Sequence, residues 1–280
     1  MEYNILGNTG IRVSKLCFGS LTISPLQANL SIEMGSDVIV AAMENGINFL
    51  DTAEFYDNYP YIREAIKKLD KELIVSTKSY AYTYEGMKQS VEKARHEIDR
   101  DVIDIFMMHE QESKWTLKGH RDALEYLLDA KCKGIIKATG VSTHTVEVVD
   151  IAGEMDEIDV IHPLFNIKGI GIKDGNIKQM EAAIKKAYEN GKGIYGMKCL
   201  GGGNLINIKQ QAFEFVLKFP YLHSVAVGMK SIEEVIANTM IFQKKPIPSF
   251  ISEKLKNEKR QLFIEDWCEG CGQCVKHCRY

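Results

Sequence analysis

The chain has 280 residues, a formal net charge of −3 and only six prolines. Neutralising a phosphate backbone needs a concentrated basic face, so this balance argues against a nucleic-acid partner. No apolar run approaches the roughly 20 residues that cross a bilayer, and Met1–Ser20 lacks the basic flank and apolar stretch of a signal peptide. Cytoplasmic residence is the expectation.

In chain order, Tyr3–Leu6 and Ile11–Val13 flank Gly7–Gly10 as a hairpin that would plug the bottom of a barrel. Eight strand candidates follow: Lys15–Gly19, Ile47–Asp51, Leu73–Lys78, Ile103–His109, Ile135–Ser142, Asp159–His162, Gly193–Lys198 and His223–Gly228. Several are continuous apolar runs, as parallel strands buried on both faces require. Between them lie stripes at helical spacing: Met87, Val91, Ala94, Ile98; Met180, Ile184, Ala187; and Ile232, Val235, Ile236, Met240. Gly46, Gly134 and Gly191 stand where helices should stop. Eight strand–helix alternations in a chain of this length predict an α/β fold, a (β/α)8 TIM barrel. A doubly wound sheet is the alternative, but no G-x-G-x-x-G follows the first strand. After Lys244 the text changes to Pro246, Pro248, a charged helical stretch Ser252–Arg260, and then cysteines. The expected division is a barrel over 1–245 and a tail over 246–280.

A parallel barrel builds its active site at the C-terminal strand ends. Three successive strand candidates end in Asp51, Lys78 and His109, and Tyr56 follows Asp51 on the next loop. Alone, Asp51-Thr52 is also a helix N-cap pattern, Lys78 a surface residue and His109 a hydrogen-bonded core histidine. Together they suit carbonyl reduction, because hydride addition leaves an alkoxide that must be stabilised and protonated. A phenol of pKa about 10 is a slow acid near neutrality, and a neighbouring ammonium lowers it. The expected roles are Tyr56 as acid, Lys78 as its tuner, Asp51 as anchor of Lys78, and His109 as donor to the substrate oxygen.

The segments Gly46-Ile47-Asn48-Phe49-Leu50-Asp51-Thr52-Ala53-Glu54-Phe55-Tyr56, Ser76-Thr77-Lys78 and Asp104-Ile105-Phe106-Met107-Met108-His109 resemble the tetrad regions of the aldo/keto reductases, in order and spacing. The likeness runs over residues 3–243. It implies a barrel that binds NADP(H) across its top without a Rossmann domain. It further implies that Ser142 and Thr143 contact the nicotinamide carboxamide, Thr143 replacing an Asn, and that His162 stands where the family has Gln. Met197 takes the place of a stacking aromatic, and Lys198 with Gly201 begins the loop near the pyrophosphate. Gly228 and Lys230 fall in the segment resembling the last barrel loop, where Lys230 would meet a 2′-phosphate and Glu234 and Asn238 would face the adenine; the basic Lys230 favours NADP over NAD. Asp57-Asn58-Tyr59-Pro60-Tyr61-Ile62 departs from the family's glycine turn and Ser-Glu pair, which leaves the substrate open.

The run Cys268-x2-Cys271-x2-Cys274-x3-Cys278 is the spacing that bacterial ferredoxins use for cubane clusters. Structural zinc, the alternative, usually pairs two knuckles a dozen or more residues apart. A [4Fe-4S] cluster is expected, and the tail resembles that of a ferredoxin-containing branch of the same family. Arg279 replaces the usual proline after the last cysteine, and the fourth ligand stays open. Cys17, Cys132 and Cys199 are expected to be small core residues, and His120, His144 and His223 carry no expected role. Tyr80, Tyr82 and Tyr84 either line the pocket rim or cover the surface. The sequence therefore predicts an NADP(H)-dependent reductase of a small-molecule carbonyl with an accessory cluster. The alternatives are a non-enzymatic nicotinamide-sensing regulatory protein and an electron-transfer enzyme with a redox partner.

Overall fold

The computed structural model describes residues 1–70, 72–256 and 269–277. The hairpin forms from β1 (Tyr3–Ile5) and β2 (Arg12–Ser14). The barrel strands are β3 (Leu16–Gly19), β4 (Phe49–Asp51), β5 (Ile74–Ser79), β6 (Ile103–Met108), β7 (Ile136–Thr143), β8 (Val160–Pro163), β9 (Gly193–Gly196) and β10 (Ser224–Gly228). They close in sequence order, with β10 pairing to β3 and every neighbour parallel. All eight predicted strands are present. The seventh stops two residues short, because Lys198 adopts φ 55° and turns the chain out of the sheet.

The helices are α1 (Ile32–Glu44), α2 (Tyr59–Lys67), α3 (Tyr84–Ile98), α4 (Lys114–Gly119), α5 (Arg121–Cys132), α6 (Val146–Glu154), α7 (Ile177–Glu189), α8 (Lys209–Leu217), α9 (Ile232–Phe242), α10 (Ser249–Lys256) and α11 (Gln273–His277). Many start at a hydroxyl or amide cap: Ser31, Thr83, Ser113, Thr145, Asn176 and Ser231 each accept a first-turn backbone N–H. The α3 stripe Met87, Val91, Ala94 and Ile98 is fully buried, and its larger side chains contribute about 1.5–3 kcal/mol each. The third predicted stripe needs correction: of its four residues only Val235 is buried, and Ile232 is exposed. Helix α9 is apolar almost all round, so spacing alone does not choose its inner face. Cys132 is likewise exposed, at the last residue of α5, whereas Cys17 and Cys199 are buried as expected. Helix α10 leans on α9 through buried Ile251 and a Lys254–Glu233 ion pair.

The hairpin closes the end of the barrel where the strands begin. Leu6, Ile11 and Val13 pack against the interior residues Cys17, Phe49, Ile105, Met107 and Tyr195. Asn8 N–H donates to Gly191 O at 2.9 Å, and Asn4 Nδ2 donates to His223 O at 2.8 Å. Gly191, the predicted stop of α7, has φ 80° and lies against the Asn8 side chain, so a Cβ has no room there. With the bottom filled, the barrel interior is approached from its C-terminal mouth.

Candidate active site

Side chains from three staves, β4, β5 and β6, meet at that mouth. Asp51 ends β4 and Lys78 lies in β5, 5 % and 1 % exposed respectively. Lys78 Nζ donates to Asp51 Oδ1 at 2.8 Å, to Oδ2 at 2.9 Å and to the Thr52 carbonyl at 2.6 Å. Three donors therefore meet three acceptors, the condition under which a buried ammonium is tolerable. Tyr56 is carried on a single 3-10 turn, Glu54–Tyr56, after β4. Its ring centroid is 5.3 Å from Lys78 Nζ and 6.0 Å from the His109 ring. The four side chains proposed from the strand ends thus share one pocket.

The segment that departs from the family pattern holds this arrangement. Asn58 is fully buried, accepts from Thr52 Oγ1 at 2.6 Å and donates to Ser20 O and Oγ at 3.0 Å. Tyr59 Oη lies 2.7 Å from Thr77 Oγ1, next to Lys78. The loop that presents Tyr56 is thereby pinned to β3 and β5.

His109 is 6 % exposed and stacks on Tyr80, ring centroids 4.2 Å apart at 19°. Burial, with Lys78 and neighbouring histidines adding to it, pushes its pKa down to about 2, so the ring is neutral near pH 7. A neutral imidazole offers one N–H donor and carries no competing charge. The Tyr56 hydroxyl is pushed well above the ordinary phenol range by burial first, then by the carboxylates of Asp51 and Glu110. This corrects the expected direction. Lys78 spends its donors on Asp51 and Thr52, so its effect on the phenol is weaker than desolvation.

The matched model is that of the aldo/keto reductase family, over residues 15–214. The chain belongs to that family. It is 26 % identical over 220 residues to the aldo-keto reductase YhdN of Bacillus subtilis, covering 72 % of this chain and 63 % of that protein. It is also 26 % identical over 184 residues to an Arabidopsis thaliana protein named "Probable voltage-gated potassium channel subunit beta", covering 59 % and 53 %. The chain thus spans about half to three-fifths of the length of these curated relatives. Among solved structures, the holo form of a Bacillus halodurans aldo-keto reductase superposes with a TM-score of 0.73 at 17 % identity, covering 95 % of this chain and 99 % of that one. That likeness concerns the fold.

Elsewhere in the barrel the expected cofactor residues divide into two groups. Ser142 and Thr143 are fully buried and hold the β6–α4 loop: Ser142 Oγ accepts Glu110 N–H at 2.8 Å and Thr143 Oγ1 donates to Gln111 O at 2.6 Å. His162 is 2 % exposed and packs beneath Asp51 instead of facing the mouth. By contrast Met197 is half-buried, while Lys198, Gly228 and Lys230 are exposed on successive top loops. Partial burial lowers the Lys198 ammonium below the usual lysine range, with Glu110 opposing. Gly201, Gly202 and Gly203 all have positive φ, and nothing lies within 4 Å of a Cβ built at Gly202, so this loop is shaped for close backbone approach. Glu234 accepts the Lys230 N–H at 2.7 Å, and Asn238 Oδ1 accepts from Lys209 Nζ at 3.3 Å.

Sequence reasoning missed Tyr195, whose hydroxyl donates to Asp51 Oδ1 at 2.8 Å from inside β9. It also missed Glu110, held at φ 46° directly after His109 with its carboxylate accepting from Tyr80 Oη at 2.6 Å. A charged residue next to a strand-end histidine was the available signal for Glu110; for Tyr195, an aromatic inside a barrel strand, there was none. Of the cysteine run, Cys268 and Cys278 lie outside the described residues. Cys271 is exposed between Gly270 (φ 65°) and Gly272 (φ 71°), and the backbone of Cys274 lies in α11. No cluster of three or more metal-binding side chains occurs among the described residues, and none of the described helices is long and apolar enough to cross a membrane.

Proposed function

We propose that this chain is a cytoplasmic oxidoreductase that reduces an aldehyde or ketone to an alcohol with NADP(H). The observation that carries the reading is the convergence of Asp51, Tyr56, Lys78 and His109 around one mouth. The site suits a nicotinamide: His109 Nδ1 and Gln111 Oε1 are buried with no hydrogen-bond partner among the described residues, and the glycine loop admits a close phosphate. Met197, Lys198, Gly201, Gly228, Lys230, Glu234 and Asn238 would hold the cofactor, with Ser142 and Thr143 acting through the loop they brace. When bound, the cofactor supplies the hydride.

The residues of the chain do the rest. Neutral His109 donates a hydrogen bond to the carbonyl oxygen and orients it. Tyr56 delivers its proton to the oxygen as negative charge develops there, because the nascent alkoxide is a stronger base than the phenolate left behind. Lys78, fixed by Asp51, places a positive charge beside the departing proton and stabilises the phenolate left behind. The pinned loop of Asn58 and Tyr59 keeps the phenol in register.

In the tail, Cys268, Cys271, Cys274 and Cys278 are proposed as thiolate ligands of an accessory [4Fe-4S] cluster. The four-thiol donor set and the two turn glycines suit it, and zinc is the rival. The cluster would supply one-electron chemistry or a structural clamp. Iron and sulfide analysis of anaerobically purified protein decides between the two metals.

The decisive assay is carbonyl-dependent NADPH oxidation over a panel of aldehydes and ketones, for wild type and Tyr56→Phe. Turnover that is unchanged by Tyr56→Phe removes the proton-donor role. A second reading, a nicotinamide-sensing regulatory subunit, is favoured by the likeness to the channel-subunit protein of Arabidopsis. It requires tight NADPH binding without turnover on the same panel.

A further inference from the structure

Beneath the four residues of the mouth lies a second polar layer. Asp51 Oδ1 accepts from both Lys78 Nζ and Tyr195 Oη, each at 2.8 Å, so one carboxylate oxygen is shared between an ammonium and a phenol. Tyr195 is fully buried, and its hydroxyl is also 2.9 Å from Ser76 Oγ. Because the Tyr195 proton goes to the carboxylate, Ser76 must be the donor in that second bond. His162 stacks on Tyr195 with ring centroids 3.9 Å apart at 18°. Its Nδ1 donates to the Tyr195 carbonyl at 2.6 Å, which leaves Nε2 of the neutral ring a lone pair, 3.6 Å from the same Asp51 oxygen. Neutral His162 therefore cannot donate to Asp51. Tyr195 is the group that does.

We infer that Tyr195, held by Ser76 and His162, is a positioning residue for the reaction proposed above: by sharing Asp51 Oδ1 it limits how far the carboxylate neutralises Lys78, and so sets how acidic Tyr56 is. A carboxylate that donates part of its electron density to a phenol binds its ammonium less completely. More of the Lys78 charge then reaches the Tyr56 ring 5.3 Å away. The Asp51 charge itself works against ionisation of Tyr56, and a hydrogen bond that disperses it eases that opposition. The groups facing Tyr56 are Asp51, Glu110, Lys78, His109 and Tyr80; those facing Asp51 are Lys78, His162, Tyr195 and Cys17. Of these, Tyr195 is the neutral donor that adjusts Asp51 without touching Tyr56.

The inference rests on the reductase reading, and the experiment separates the two. Wild type, Tyr195→Phe and Ser76→Ala are compared with 4-nitrobenzaldehyde and NADPH, with NADPH dissociation read by fluorescence and folding by thermal melting. Losing one hydrogen bond to a charged group predicts kcat down about tenfold in Tyr195→Phe. The loss falls on kcat, while the KM for the aldehyde and the NADPH dissociation constant are unchanged. Ser76→Ala lowers kcat by less, with the same split. A Tyr195→Phe enzyme that melts earlier yet keeps the wild-type kcat overturns the inference and leaves the reductase standing. A wild type that oxidises no NADPH with the aldehyde removes both.

Discussion

The two ends of the barrel each bury a lysine and a histidine, and the pairs are used differently. At the mouth, Lys78 faces a carboxylate, and His109 keeps a buried nitrogen with no partner among the described residues. At the plugged end, Lys15 is 6 % exposed and its Nζ donates to the Leu222 carbonyl at 2.5 Å. Burial lowers its ammonium below the usual lysine range, with Glu2 opposing. His223, beside it, is tied on both ring nitrogens: Gly7 N–H donates to Nε2 at 3.2 Å, and Nδ1–H donates to the Ile194 carbonyl at 3.3 Å. The bottom end satisfies its polar groups with backbone, which makes a clamp. The top end leaves His109 Nδ1 and Gln111 Oε1 without a partner among the described residues, beside a fixed charge, which makes a site.

That contrast can be broken first by kinetics. Tyr56→Phe should lower carbonyl reduction by about 10²–10⁴-fold, the usual contribution of a positioned general acid, while Lys15→Met leaves kcat within about twofold. Steady-state NADPH oxidation measures both. Equal losses would mean that the ends do not differ in function.

Stability should then order the two lysines. Lys78→Met strands Asp51 in a buried site and is expected to cost about 3–5 kcal/mol in urea unfolding. Lys15→Met strands only a backbone carbonyl, and about 1–2 kcal/mol is expected. A Lys15 variant as damaging as the Lys78 variant would refute the difference in pairing.

The histidine clamp predicts a pH effect. Burial holds the His223 pKa down to about 4, against about 6.5 when unfolded. The folded state then binds fewer protons, so its contribution is complete above pH 6.5 and is lost as pH falls from 6.5 towards 4. The loss amounts to about 3 kcal/mol. Urea midpoints of His223→Gln should be flatter than wild type over that window. His109 and His162, depressed in the same direction, keep a residual slope in the variant.

The smallest effect belongs to the rim. Lys230→Ala should weaken NADPH about tenfold and NADH little, as removal of one charge-assisted phosphate contact implies. Fluorescence titration with both cofactors tests it, and equal weakening would assign Lys230 to general electrostatics.

Much of this was legible in one dimension. Short β-type runs, several of them continuously apolar, marked all eight strands, and Gly46, Gly134 and Gly191 marked helix ends, each with positive φ in the structure. Asp51, Lys78 and His109 could be read because barrel topology brings successive strand ends together, so order along the chain became proximity in space. The cysteine spacing is local and suggested a cluster from sequence alone; that cluster stands as a proposal. Neither Tyr195 nor Asn58 was readable. Tyr195 is separated from Asp51 by 144 residues, and its partner is decided by barrel closure rather than by neighbours in sequence. The direction of the Tyr56 shift also required the fold: the residue types present suggested a charge effect, but depth below the surface decides how much water a phenol loses, and no pattern of residue types states depth. The sequence alone determined which elements form and which reactive groups stand at their ends. Only tertiary structure decided what lies beneath those groups, because burial and hydrogen-bond partners are properties of the closed barrel.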